Sequence, residues 1–355
     1  DALFAIEVAN LEILFLLFLG KPLWMWLLFI SLVVALLVLD LGVLHKEDHE
    51  IGVAESLKLS AMYITLGVAF SGFVWWSFNY QLAAATPEIA ATMINGAEAA
   101  KLYLTAFVVE KTLAMDNVFV IALIFTYFAI PRMYQHRVLF WGILGVIVLR
   151  GIMIGLGATL VAQYSWILYI FAAFLILTGI KMLFMGVKPM DISQNPLLKF
   201  MKRRMNVTEE IHGHDFFVKK PDPKTGKLVR FATPLFLALI MVEIADLIFA
   251  VDSVPAVFAI TTDPFIVYTS NIFAILGLRA LYFALAAIIH RFHYLKYALS
   301  LLLVFIGSKI FVADLLGLEK FPANWSLGIT FAILAAGVAF SLWKTRAGHS
   351  GGASD

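Results

Sequence analysis

Eight ionisable side chains, Glu110, Lys111, Asp116, Arg150, Glu243, Asp246, Asp252 and Arg279, interrupt stretches otherwise dominated by Val, Ile, Leu, Phe and Ala. At the centre of a membrane-spanning helix each would cost about 2.5–3.5 kcal/mol, on the order of 20 kcal/mol together if none were paired. They must therefore pair with one another or line a wet cavity, and intramembrane charges mark functional sites by default. Five are carboxylates, and the Asn117 amide and Ser253 hydroxyl directly follow Asp116 and Asp252. No His lies in either segment, and Met115 is the only sulfur there. Sites built from oxygen with several carboxylates suit hard divalent ions such as manganese, magnesium or calcium, and disfavour copper and zinc.

Helical geometry sorts these groups by face. At about 100° per residue, Glu110 and Asn117 share one face of their helix, and Glu243, Asp246, Ala250 and Ser253 share one face of theirs. Asp116 and Asp252 fall about 100° off those faces. Pro255 removes the hydrogen bond to the Val251 carbonyl, so a kink or break is expected beside Asp252. A broken helix would redirect that aspartate and free carbonyl oxygens for a cation. Lys111, Arg150, Lys181, Arg279 and Lys309 are read as ion-pair partners that make an empty site tolerable. Asp40 stays open between a helix-end residue and an entry ligand.

The elements that position these groups follow from composition. Of 355 residues 62% are in the set AVILMFWYC and 14% are charged, against about 45–50% and 25% in soluble domains. One soluble core cannot hide such a surplus, which excludes a soluble enzyme, a disordered chain and a barrel of short alternating strands. Cysteine is absent, which excludes disulfides, zinc thiolates, iron–sulfur clusters and thiol catalysis. The net charge of +2 says less than where the charges lie.

Apolar runs fall at about 22–44, 59–79, 102–128, 137–161, 165–187, 232–258, 265–290, 294–315 and 323–343, an all-α polytopic membrane protein of about nine transmembrane helices. Residues 1–21 suit an interfacial helix and a short extra span equally well, and no cleavable leader is expected, since Glu7 and Glu12 precede Lys21. The first membrane half is 22–187, a basic loop covers 188–231, the second half is 232–343, and 344–355 reads as a disordered tail. Ten Lys and Arg residues lie between Lys188 and Arg230, so that loop and the C-terminus are expected in the cytoplasm. Within it, Pro221 to Gly226 reads as a hairpin tip, and His212 and His214 read as solvated loop histidines.

The two acidic segments are copies of one pattern. Glu110, Asp116 and Asn117 align with Asp246, Asp252 and Ser253; Leu149-Arg150 aligns with Leu278-Arg279, Tyr169 with Tyr297, and Gly179-Ile180-Lys181 with Gly307-Ser308-Lys309. Each copy, 102–187 and 232–315, holds three spans, an odd number, so the second is inverted in the membrane. Such 3+3 inverted repeats build many secondary transporters, with the substrate near the midplane where the copies meet.

The runs Glu110-Lys111-Thr112-Leu113-Ala114-Met115-Asp116-Asn117-Val118-Phe119-Val120, Gln135-His136-Arg137-Val138-Leu139 and Phe249-Ala250-Val251-Asp252-Ser253-Val254-Pro255-Ala256 resemble the TerC family of integral membrane proteins. Thr261-Thr262-Asp263-Pro264-Phe265-Ile266-Val267 and Phe273-Ala274-Ile275-Leu276-Gly277-Leu278-Arg279 are similar to its Alx-type members. The resemblance covers roughly 22–343 and implies manganese export across the bacterial inner membrane, within a superfamily that includes lysine exporters. It implies Glu110, Asp116, Asn117, Glu243, Asp246, Asp252 and Ser253 as the ion-binding positions.

On this reading Mn2+ is cargo, exchanged for protons as the carboxylates protonate. No enzymatic activity, organic cofactor or nucleic-acid partner is expected; lipids, a divalent ion and protons are. Export of another solute is the nearest alternative, and two other classes compete. An intramembrane aspartyl protease would want a Gly-x-Gly-Asp context that neither aspartate has. An assembly or metal-loading factor would dock partners on the basic loop, whose charge positive-inside orientation already explains.

Overall fold

The computed structural model describes residues 13–39, 52–84, 86–185, 192–221, 226–286, 295–318 and 321–350. Asp40 and the side chains of Asp116 and Arg279 lie outside the described set. The helices are α1 (Leu23–Leu39), α2 (Val53–Asn79), α3 (Pro87–Thr92), α4 (Gly96–Tyr127), α5 (Arg132–Gln163), α6 (Ile167–Met185), α7 (Pro196–Arg204), α8 (Pro234–Phe258), α9 (Pro264–Leu276), α10 (Leu278–Ala286), α11 (Leu295–Leu315) and α12 (Ala323–Ser350).

Local chemistry sets where several of them start. The Asn95 side chain accepts from the Glu98 N–H at 2.8 Å, and the Asp263 carboxylate accepts from Phe265 and Ile266 N–H at 3.0 and 3.2 Å. Asn195 does the same for Leu197 and Leu198. Pro87, Pro196, Pro234 and Pro264 each occupy a first helical position, where a missing N–H costs nothing.

Among the described residues six helices are long and apolar enough to cross a membrane: Val53–Asn79, Arg132–Gln163, Ile167–Phe184, Pro234–Phe258, Lys296–Leu315 and Ala323–Lys344. The other three expected spans differ for separate reasons. The described part of α1 is 17 residues, about 25 Å of helix, short of a hydrocarbon core of about 30 Å. Helix α4 is long enough but carries Glu98, Lys101, Glu110, Lys111 and Asp116. The run 265–290 is two helices that part at Gly277. A Cβ on Gly277 would lie 2.7 Å from the Lys111 Nζ and 3.0 Å from the Tyr63 Cβ, so a side chain there would crowd α4 and α2.

Pro255 does not break its helix. Helix α8 continues to Phe258, because the proline falls within its last turns and removes a single donor there. The last helix runs to Ser350 rather than stopping at 343, since Lys344 to Ala347 include nothing that opposes a helix; residues 351–355 lie outside the described set. Of residues 1–21, the described part ends in a two-residue antiparallel pairing of Leu17–Phe18 (β1) with Lys21–Pro22 (β2).

Helices α6 and α11 are the third helices of the two repeat copies, and their contacts are reciprocal. A Cβ on Gly179 would lie 2.6 Å from the Ser300 carbonyl and 2.7 Å from the Val304 side chain. A Cβ on Gly307 would lie 2.5 Å from the Ala172 carbonyl and 2.9 Å from the Ile176 side chain. Each contact maps onto the other under the 128-residue offset that relates Tyr169 to Tyr297. Since 172 meets 307 and 179 meets 300, the helices cross antiparallel, the direction that an inverted repeat calls for.

Outside the helical bundle, strands Phe217–Pro221 (β3) and Leu228–Ala232 (β4) pair antiparallel from Phe217 opposite Ala232 to Pro221 opposite Leu228. The expected tip lies between them, and Gly226 takes a φ of +67°, which glycine adopts without steric cost. The Arg230 guanidinium covers the Phe217 ring at 4.1 Å. Lys220 donates to the Glu210 carboxylate at 2.6 Å, and this bond, the Lys220 charge and nearby His212 hold the Glu210 carboxyl below its ordinary value. The link is therefore present above the ordinary carboxylate range and is lost as pH falls through the lowered value. Lys220→Ala is expected to return the Glu210 titration, followed by carboxyl carbon-13 NMR, to that range; an unmoved titration would show that the pair does not form in solution.

Candidate functional site

Arg150, 1% exposed in the middle of α5, organises the buried polar groups. Its Nε and Nη2 donate to the two oxygens of Asp246 on α8 at 3.1 and 2.9 Å, the two-pronged arrangement that suits a planar guanidinium. Nη1 donates to the Glu110 carboxylate on α4, to the Asn271 amide oxygen on α9 at 2.8 Å and to the Ser253 hydroxyl on α8 at 3.2 Å. The Asn117 amide on α4 donates to the same Asp246 at 3.3 Å. Four helices thus meet at one side chain, and the two acids it joins, Glu110 and Asp246, are equivalent positions of the two repeat copies.

The convergence follows from the faces read in the sequence. Glu110 and Asn117 are two helical turns apart, as are Asp246 and Ser253, so each helix presents two polar groups to α5. Helix α5 admits α8 through glycine: a Cβ on Gly145 would fall within the Glu243 carboxylate. Glu243, one turn before Asp246, is only partly buried and packs against that glycine.

The cluster is not saturated. Among the described residues the Glu110 Oε2, Asn117 Oδ1 and Glu243 Oε2 are buried oxygens with no hydrogen-bond partner, and the Asn271 Nδ2 is a buried donor in the same position. Leaving such groups unmet costs about 1–3 kcal/mol each, more for a charged one. Beside Asn117 and Asp246 lies a cavity of about 20 Å³, otherwise walled by apolar groups including Ile121, Val146 and Phe249, enough for one water-sized occupant. Asn117 lines this cavity together with Asp246, while Glu110 and Glu243 supply the other two oxygens without donors from the same two helices; carboxylate and amide oxygens of this kind are the groups that accept a hard cation. No three Asp, Glu or His side chains stand at metal-holding distance among the described residues; the guanidinium is the cation these carboxylates hold in this conformation.

Of the sequence-predicted positions, Glu110, Asn117, Asp246 and Ser253 meet at Arg150, and Glu243 adjoins them. Asp252 does not meet them. Six residues from Asp246, it points about 120° away on an unbroken helix, is half-buried, and faces Thr178 and Lys181 of α6. Asp116 lies in α4 with its side chain outside the described set. Arg150 and Lys181 have the acidic neighbours read for them, but Lys111 and Lys309 have neutral acceptors. Lys111 donates to the Ala274 carbonyl at 2.9 Å, in the last turn of α9, where carbonyls lose their helical partners. Lys309 donates to the Ser326 hydroxyl at 3.4 Å. Asn271, fully buried, was not anticipated; its signal was an amide alone in the apolar run Phe265–Leu276.

Residues 95–349 match the integral membrane protein TerC family, which includes every residue of the cluster. The chain is 44% identical over 313 residues to an uncharacterized membrane protein of Rickettsia bellii, covering 88% of this chain and 95% of that one. It is 41% identical over 327 residues to a membrane protein of Myxococcus xanthus, covering 92% and 94%. It is 42% identical over 327 residues to Alx of Escherichia coli K12, named provisionally as a membrane-bound redox modulator, covering 91% and 95%. No solved structure matches the chain. With about seven-tenths of its length inside the family pattern and relatives aligned nearly end to end, this polytopic helical protein belongs to the TerC family of integral membrane proteins.

Proposed function

We propose that the protein exports a hard divalent cation, manganese(II) foremost, across the bacterial inner membrane. The observation that carries this reading is the set of buried oxygens without donors, Glu110 Oε2, Asn117 Oδ1 and Glu243 Oε2, on the first helices of both repeat copies, with Asn117 lining a cavity that admits one water-sized occupant. Oxygen donors of this kind suit manganese over copper or zinc, and a site between inverted copies suits alternating access. Residues 188–231 and the C-terminus face the cytoplasm in this proposal, by the concentration of Lys and Arg there. Protons are the proposed counter-ions, since crowded carboxylates bind them readily. No covalent chemistry or organic cofactor is assigned. The redox label of the Alx relatives, if it extends to this chain, works through something other than its own thiols, because it has no cysteine.

Inside-out vesicles containing the protein are expected to accumulate manganese faster than vesicles without it. Uptake should fall at least tenfold in Glu243→Gln and on collapse of the proton gradient. A cysteine placed at Gly226 should react with an impermeant thiol reagent in these vesicles and not in intact cells. Equal uptake with and without the protein across a panel of divalent ions would remove the reading and leave an assembly role in its place.

A further inference from the structure

Arg150 divides the buried cluster into two tiers. Toward the β3–β4 end of the molecule lie Asn117, Asp246 and the cavity, with Glu243 a turn beyond. Toward the opposite end, where α8 finishes and α9 begins, lie Glu110, Ser253 and Asn271. The guanidinium bonds to both tiers at once, and among the described residues its hydrogen bonds are what joins them.

Its hold on Asp246 takes three of the carboxylate's about four acceptor directions: one oxygen accepts from Nε, and the other accepts from both Nη2 and Asn117. A cation entering the cavity finds Asp246 as the one carboxylate lining it, with those directions taken. Two cations cannot use the same bonds of one carboxylate, and in a site this dry their mutual repulsion is little screened. The partners of Arg150 in the second tier differ in kind, since Asn271 and Ser253 are neutral acceptors that can keep donors occupied while the bonds to Asp246 open.

We propose that Arg150 is a tethered counter-cation, which the transported divalent ion displaces from Asp246 and which returns when the ion leaves. This rests on the export reading above and adds the device that regulates its site. The empty carrier stays neutralised while it reorients, and the returning guanidinium competes with the ion and so promotes its release. Arg150 is a positioning and exchange group here, not a ligand.

The test is equilibrium manganese binding to the full-length protein in lipid nanodiscs, paired with uptake into inside-out vesicles. Arg150→Gln is expected to bind manganese at least tenfold more tightly than wild type while its uptake slows at least tenfold. Arg150→Lys, which keeps the charge but not the fork, should fall between. Asn271→Ala removes no charge and touches no carboxylate, yet it loosens the arginine; it should tighten binding severalfold, which a simple field effect of the guanidinium would not produce. If Arg150→Gln fails to fold, Asn271→Ala and Arg150→Lys still decide the matter. Unchanged or weaker manganese affinity in the folded variants, with wild type binding and transporting normally, would overturn the displacement alone. A wild type that neither binds nor transports a divalent ion would overturn both the displacement and the export reading beneath it.

Discussion

Asp246→Asn is expected to abolish manganese export and to lower stability by about 3–5 kcal/mol, the usual loss when one member of a buried ion pair is removed. The change keeps the shape of the side chain but replaces a carboxylate oxygen with an N–H2 donor. In either orientation that donor faces another: the Nε of Arg150 on one side, the Nη2 and the Asn117 amide on the other. The arginine then keeps Glu110 as its only acidic partner among the described residues. Asp252→Asn makes the contrast. That carboxylate is half-buried beside Lys181 and Thr178, so its removal should cost no more than about 1 kcal/mol, as for exposed pairs. A thermal melt in detergent separates the two, and vesicle uptake gives the transport term. An Asp246→Asn protein that melts and transports like wild type would show that the cluster at Arg150 carries neither stability nor function.

The helix faces were the most legible part of this protein. A period of 3.6 residues is enough to place Glu110 with Asn117 and Asp246 with Ser253, and the high cost of charge in lipid is enough to require that they meet a cation. Arg150 could be named for the same reason. What periodicity does not hold is the direction in which a helix is interrupted. Pro255 is a chemical signal for a break, yet near a helix end the lost donor is cheap and α8 continues to Phe258. Gly277 is a helix-interrupting residue, and α9 ends at Leu276 with α10 beginning at Leu278. What the local sequence does not hold is the crowding a side chain there would meet from Lys111 on α4 and Tyr63 on α2. Asp252 follows from the first of these: with the helix intact, nothing turns it from α6 toward Arg150. Asn271 escaped because a single amide in an apolar run carries no charge to be neutralised, and its value appears only once Arg150 needs a neutral acceptor.

The second large effect concerns the crossing of α6 and α11. Gly179→Val and Gly307→Val are each expected to destabilise the protein, and by similar amounts, because each places a branched side chain against a backbone carbonyl, Ser300 in one case and Ala172 in the other. Backbone cannot move aside as the end of a flexible side chain can, so the helices must separate, at a cost of about 1–3 kcal/mol or more for each change. The double variant should cost less than the sum, since helices already parted by one valine accommodate the second, a coupling expected of residues that share an interface. Gly155→Val on α5 is the control: a Cβ there meets no atom within 4 Å, so its effect should stay within about 0.5 kcal/mol, as at unconstrained surface sites. The equality carries the weight of the test. Equal costs at two glycines 128 residues apart are what equivalent places in two copies of one unit, packed reciprocally about a two-fold axis, would produce. Detergent melts that find one valine damaging and the other silent would separate the two positions and remove the reciprocal crossing as support for an inverted repeat.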